Sequence, residues 1–197
     1  MIEADNIENL GHLIREAANR FGSSSIFRFE GANLSFLELD ERSNQLAHVL
    51  ESLGIEHGDC IAVMLPNGFD FPITWLAIAK LGAVMVPVNV QYQHDDLRYV
   101  LRDSGAKLIV TAGEFLALVA RVKPECPMLE TISGFEIDGA FDLRGAMGVA
   151  ASTAPKTKVA RGDLVNLQYT SGTTGFPKGC MLTHAYWLEL GDRKSVV

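Results

Sequence analysis

The sequence predicts an α/β fold: a mostly parallel sheet flanked by helices on both faces. Three observations predict it. Segments of helical periodicity alternate with short apolar runs along most of the 197 residues, the pattern of successive βαβ units with right-handed crossovers. The apolar runs, such as CIAVML at 60–65, are continuous rather than alternating, as in strands covered on both faces. Hydrophobic residues make up 48% of the chain and charged residues 21%, enough for one sizeable core or two small domains and inconsistent with disorder.

Element by element, Leu10, Leu13, Ile14, Ala17, Ala18 and Phe21 form one apolar stripe of a helix, which Gly22 stops. Ser35 and Glu38 have capping-box spacing at the entrance of a second helix. Its stripe is Leu39, Leu46, Ala47, Leu50 and Leu53, and Gly54 is placed to end it. The strand at 60–65 follows, then a helix over about 67–81 and a strand over 84–86. A helix over about 95–103 (Leu97, Val100 and Leu101 inward) leads to the strand KLIVT at 107–111. EFLALVARV predicts another helix and LETIS a weak strand. From 134 to 162 Gly, Ala, Ser, Thr and Pro dilute the signal, which allows a short helix near 141–147 and then a surface connection. A strand over 164–170 closes the series.

The apolar run at 72–90 has Lys80 in its middle and is broken by Gly82 and Pro87, so it predicts helix, turn and strand, with no transmembrane segment. The acidic N-terminus has no apolar core and is no secretory signal. The three cysteines, Cys60, Cys126 and Cys180, form no C-x-x-C or Cys/His cluster; they predict neither a zinc site nor disulfides, but buried or idle thiols in a reducing, cytoplasmic setting. A net charge of −7 disfavours a nucleic-acid-binding surface. No Asp or Glu falls between Leu164 and Leu188, however, so that stretch is locally free of negative charge.

That stretch contains YTSGTTGFPKG, from Tyr169 to Gly179. It follows a strand, at the edge where open α/β sheets hold ligands. Gly172, Gly175 and Gly179 let backbone amides converge on an anion, Thr170, Ser171, Thr173 and Thr174 add hydroxyls, and Lys178 adds a mobile point charge. The order is neither G-x-x-x-x-G-K-[ST] nor G-x-G-x-x-G. Composition alone is also that of a flexible surface loop.

In order, Tyr169 to His184 resembles the signature of the adenylate-forming superfamily, which includes the AMP-forming acyl-CoA synthetases: an aromatic, a Thr/Ser pair, G-T-T-G-x-P-K-G, an apolar pair and T-H. The segments at 34–67 and 77–111 resemble the family's earlier parts, and VPVN at 86–89 is more similar to the acyl-CoA synthetases than to the peptide-synthetase branch. The resemblance implies an N-terminal portion of that fold over 1–197. It also implies ATP-dependent activation of a carboxylic acid, fatty or aromatic, to an acyl-adenylate and then to acyl-CoA, with Mg2+ on the phosphates and coenzyme A as co-substrate. Thr170, Ser171, Gly172, Thr173, Thr174 and Lys178 are the implied phosphate contacts; Gly175, Pro177 and Gly179 are implied to shape the loop; Tyr169 is expected to pack the strand end, and His184 to be structural.

No metal ligand and no catalytic side chain is assigned, because the resemblance places the catalytic lysine in a C-terminal domain not represented in these residues. The ending ELGDRKSVV departs from the family pattern, so the expectation is a truncated chain, inactive alone. An amino-acid adenylation domain stays open as an alternative, as does a non-catalytic fragment that self-associates, for example as a homodimer, through an open sheet edge.

Overall fold

A computed structural model of the chain describes residues 6–170 and 177–194. Helix α1 (Leu10–Phe21) starts where the Asn9 side chain accepts from the His12 amide at 2.8 Å, and ends at Gly22, whose φ is 50°. Strands β1 (Ser25–Phe29) and β2 (Ala32–Ser35) then form an antiparallel hairpin that the apolar patterning does not predict. Its two turn residues, Glu30 and Gly31, both have positive φ, 48° and 81°, the primed-turn geometry that suits strand twist. Helix α2 (Phe36–Ser52) opens with the predicted capping box: the Ser35 hydroxyl accepts from the Glu38 amide at 3.1 Å, and the Glu38 carboxylate accepts from the Ser35 amide at 2.9 Å.

The main sheet comprises β3 (Cys60–Met64), β4 (Val84–Pro87), β5 (Leu108–Thr111), β6 (Thr131–Gly134), β7 (Phe141–Asp142), β8 (Leu164–Thr170) and β9 (Lys178–Thr183), in the order β7-β6-β5-β3-β4-β8-β9. All neighbours are parallel except β8 and β9, which form an antiparallel hairpin. Between the strands lie α3 (Asp70–Lys80), α4 (His94–Ser104), α5 (Gly113–Val122) and α6 (Leu143–Met147), and α7 (His184–Lys194) follows β9. The helix expected from 67 begins only at Asp70, after a bend at 67–69 that includes Gly68. The segment expected as helix from 141 spends its first two residues as β7, and Asp142 then caps α6 by accepting from the Arg144 and Gly145 amides.

Both faces of the sheet are covered, as the continuous apolar runs require. Ile61 and Val63 pack with α1, α2, α3, α6 and α7, whereas Ala62 and Met64, one residue out of step, pack with α4 and α5. The run at 72–90 divides into α3, a turn at Gly82 (φ 66°) and β4. Among the described residues no helix is long and apolar enough to cross a membrane.

Lys80 ends α3 inside the protein, its side chain 4% exposed. Its ammonium donates to Asp40 Oδ1 at 2.7 Å, the Asp40 carbonyl at 3.0 Å, Ser43 Oγ at 2.7 Å and Asn44 Oδ1 at 2.6 Å. Burial pulls its pKa down and Asp40 pulls it back up. Gly11 is glycine where a Cβ would lie 2.9 Å from the Lys80 Cγ, so α1 approaches this buried cation closely. The connection from α6 to β8, expected as a surface segment, does run over the surface and is tied to the same helices. Asn44 donates to the Ser152 carbonyl at 2.8 Å, and His48 Nε2 lies 2.9 Å from that of Thr153. Asn9 donates to the Val159 carbonyl at 2.8 Å.

Candidate phosphate-binding site

Strand β8 carries the chain to the carboxyl edge of the sheet and is anchored along its length. Val165 is fully buried, and Asn166 Oδ1 accepts from Trp75 Nε1 at 3.0 Å. Tyr169, 8% exposed, donates its hydroxyl to Asp103 Oδ2 of α4 at 2.6 Å and meets Tyr99 edge-on at 6.4 Å. Burial, then the Asp103 carboxylate, pushes the phenol far above its ordinary range, so Tyr169 stays a protonated donor. It packs the strand end, as expected.

β9 returns antiparallel and pairs Thr170 with Lys178, Tyr169 with Gly179 and Gln168 with Cys180. Directly opposed residues in such a ladder project from the same face, with Cβ atoms about 5 Å apart. A hydroxyl and an ammonium, both on exposed residues, are therefore brought side by side at the open end of the hairpin. Pro177, half-buried, precedes β9 and has no amide hydrogen to extend the ladder. Ser171, Gly172, Thr173, Thr174 and Gly175 lie outside the described residues. Thr170 and Lys178 lie in strands without the positive φ of an amide nest, and they present a hydroxyl and an ammonium.

Gly179 is glycine for want of room. It lies in β9 without a positive φ, and a Cβ there would come 2.8 Å from Leu167 Cδ1 and 3.4 Å from the Tyr169 ring. Gly179→Ala is expected to push the Leu167 side chain aside at a cost of about 1 kcal/mol, the low end for overpacking, measured by urea denaturation; a loss of several kcal/mol would contradict this packing. Cys180, expected to be buried or idle, is exposed on β9, while Cys126 is buried and Cys60 partly so; all three are free thiols.

His184, the first residue of α7, is fully buried and structural. Its Nδ1 accepts from the Leu10 amide at 3.2 Å, which ties α7 to the start of α1, and its own amide donates to the Asp163 carbonyl at 3.1 Å. Desolvation lowers its pKa from 6.5 to about 4, against the pull of Asp163 and with the help of His57. The folded protein thus binds fewer protons than the unfolded chain between those values. Stability is fully present above about pH 6.5 and falls as pH drops toward 4, by about 3 kcal/mol in all. Asp163, held low first by the His57 hydrogen bond, adds a further loss in the carboxylate range. His184→Asn should flatten the fall between pH 6.5 and 4; an equally steep profile would remove His184 as its cause.

An exposed ammonium beside a hydroxyl, with no acidic residue from Leu164 to Leu188, suits a polyanion such as a phosphate tail. Among the described residues no group of three or more His, Cys, Asp or Glu side chains is gathered for a metal ion. A magnesium ion bridging phosphates needs no such protein cage. Asp103 was not marked by the sequence, since the apolar stripe of α4 consists of Leu97, Val100 and Leu101; its signal is the i, i+4 spacing from Tyr99 on a second face.

The chain is similar to several known proteins. The model of the AMP-binding enzyme family matches residues 14–193. A long-chain-fatty-acid–CoA ligase of Mycobacterium tuberculosis is 28% identical over 180 residues, 90% of this chain and 35% of the relative. Tyrocidine synthase 3 of Brevibacillus parabrevis is 32% identical over 177 residues, 90% of this chain and 3% of that protein. The crystal structure of a long-chain-fatty-acid–CoA ligase from Archaeoglobus fulgidus superposes with a TM-score of 0.85 at 26% identity, covering 95% of this chain and 39% of the other. The chain thus spans about a third of the fatty-acid ligases it matches. By its signature stretch, its sheet and the family match over most of its length, the chain belongs to the AMP-binding enzyme family.

Proposed function

We propose that these residues form the phosphate-holding part of an AMP-forming acyl-CoA ligase acting on a fatty or aromatic acid. The observation that carries the reading is the pairing of Thr170 with Lys178 where β8 and β9 open, within a match to AMP-binding enzymes. In the proposed reaction a carboxylate oxygen attacks the α-phosphorus of ATP, the bond to the bridging oxygen breaks, and magnesium pyrophosphate departs. The coenzyme A sulfur then attacks the acyl carbon and AMP leaves. Charge grows on the departing pyrophosphate, where the Lys178 ammonium and the Thr170 hydroxyl stabilise it. Ser171, Gly172, Thr173 and Thr174 are proposed to complete the contacts, with Gly175 and Pro177 shaping the turn between the strands.

The test is carboxylate-dependent ATP–pyrophosphate exchange in an enzyme of full family length carrying these residues. Exchange is expected with fatty or aromatic acids; exchange with amino acids alone would overturn the acyl-CoA ligase reading. The 197-residue chain by itself is expected to bind ATP weakly and to show no turnover, and robust turnover would contradict that.

A further inference from the structure

We infer that Asp103 is a positioning residue for the phosphate contacts: through its hydrogen bond to Tyr169 it fixes how Thr170 and Lys178 face each other. The inference rests on the phosphate reading above and goes beyond it to a residue of α4, 66 positions before Tyr169.

Three observations carry it. Tyr169 adjoins Thr170 in β8, and its ladder partner Gly179 adjoins Lys178 in β9, so one ring touches both strands a single residue below the proposed contacts. The ring also lies against Gly179, where a Cβ would meet it at the contact distance of 3.4 Å and press on Leu167 Cδ1 at 2.8 Å. The position of that ring thus bears on how β9 lies against β8. β9 is also the last strand of the sheet among the described residues, paired on one side by β8, so its placement depends on what β8 presents to it.

What orients the ring is the 2.6 Å hydrogen bond from the Tyr169 hydroxyl to Asp103, of the strong, charge-assisted kind. The helix that bears Asp103 is itself held, with Leu97, Val100 and Leu101 buried and His94 and Arg98 bridged to Glu125 at 2.9 and 3.4 Å. The linkage thus runs from a fixed helix through one phenol to both ends of the glycine-rich stretch. Asp103 touches no phosphate in this account; it acts through Tyr169.

The test is calorimetric binding of inorganic pyrophosphate with magnesium to the whole chain, at a temperature where circular dichroism shows every variant folded. Asp103→Ala is expected to weaken binding about fivefold, on the scale of one lost hydrogen bond, and Asp103→Asn, which keeps an acceptor, to restore it. The decisive arm is the pair Asp103→Ala and Lys178→Ala. If Asp103 works by placing Lys178, the double variant binds no more weakly than Lys178→Ala alone. A merely structural role would lower melting temperature, leave affinity below that temperature unchanged, and overturn the inference. Independent, additive losses would overturn it too. Absence of pyrophosphate binding by the unaltered chain would instead sink the phosphate reading, and the inference with it. The amide resonances of Thr170 and Lys178 supply a ligand-free arm: both shift in Asp103→Ala and return in Asp103→Asn, whereas unmoved resonances overturn the inference whatever the binding result.

Discussion

Replacing Lys178 with Ala is expected to lower ATP–pyrophosphate exchange about 100-fold or more in an enzyme of full family length, the scale on which removal of one preorganised charge-stabilising group acts. The side chain sits on an exposed residue at the first position of β9, so its loss should leave the unfolding midpoint where it was. That separation makes the result interpretable: a drop in exchange with an unchanged melting curve assigns the effect to the phosphates. Lys178→Arg should recover part of the activity, since the charge is kept while the compact ammonium geometry is lost. Unchanged exchange in Lys178→Ala would remove Lys178 from the site.

The second large effect concerns stability. Asp40→Ala is expected to destabilise the fold by about 3 kcal/mol, because it strips the carboxylate from a buried ammonium and leaves the charge only partly compensated. Lys80 keeps three neutral acceptors, the Asp40 carbonyl, Ser43 and Asn44, which holds the loss at the lower end for a broken buried pair. Lys80→Met leaves the Asp40 carboxylate unpaired in turn, but at 14% exposure that group still reaches water where the 4% exposed ammonium does not, so Lys80→Met should cost less than Asp40→Ala despite deleting every one of those bonds. Denaturant unfolding of the two variants checks the order; the reverse order would mean that Lys80 stabilises chiefly as a donor. The network also sets the path of the chain, since Asn44 joins Lys80 to the segment at 152 that leads to β8.

The sequence made legible what is local. Ser35 and Glu38 announced a capping box, and Gly22 and Gly54 announced helix ends, because each acts on its immediate neighbours. The continuous runs in β3, β4 and β5 announced a sheet covered on both faces, and Tyr169 announced a packing role. The β1–β2 hairpin was hidden because its turn lacks the usual signal: Glu30 takes the positive φ usually left to Asn, Asp or Gly. At the site, the order of residues from Tyr169 to Gly179 pointed to a phosphate loop, but Gly179 lies in β9 without a positive φ, and a Cβ there would press on the Leu167 side chain. Asp103 and Lys80 act across 66 and 40 residues of chain, and no local pattern encodes such partners.

The most direct measurement is an amide chemical-shift titration of the 197-residue chain with magnesium ATP, carried to concentrations that detect weak binding. Shifts are expected to concentrate at Thr170, Lys178 and the residues between them, to be reproduced by pyrophosphate, and to need clearly higher ligand concentrations in Lys178→Ala. Shifts that gather elsewhere on the protein, or that saturate at the same concentrations in Lys178→Ala, would contradict a phosphate grip at the open end of β8 and β9.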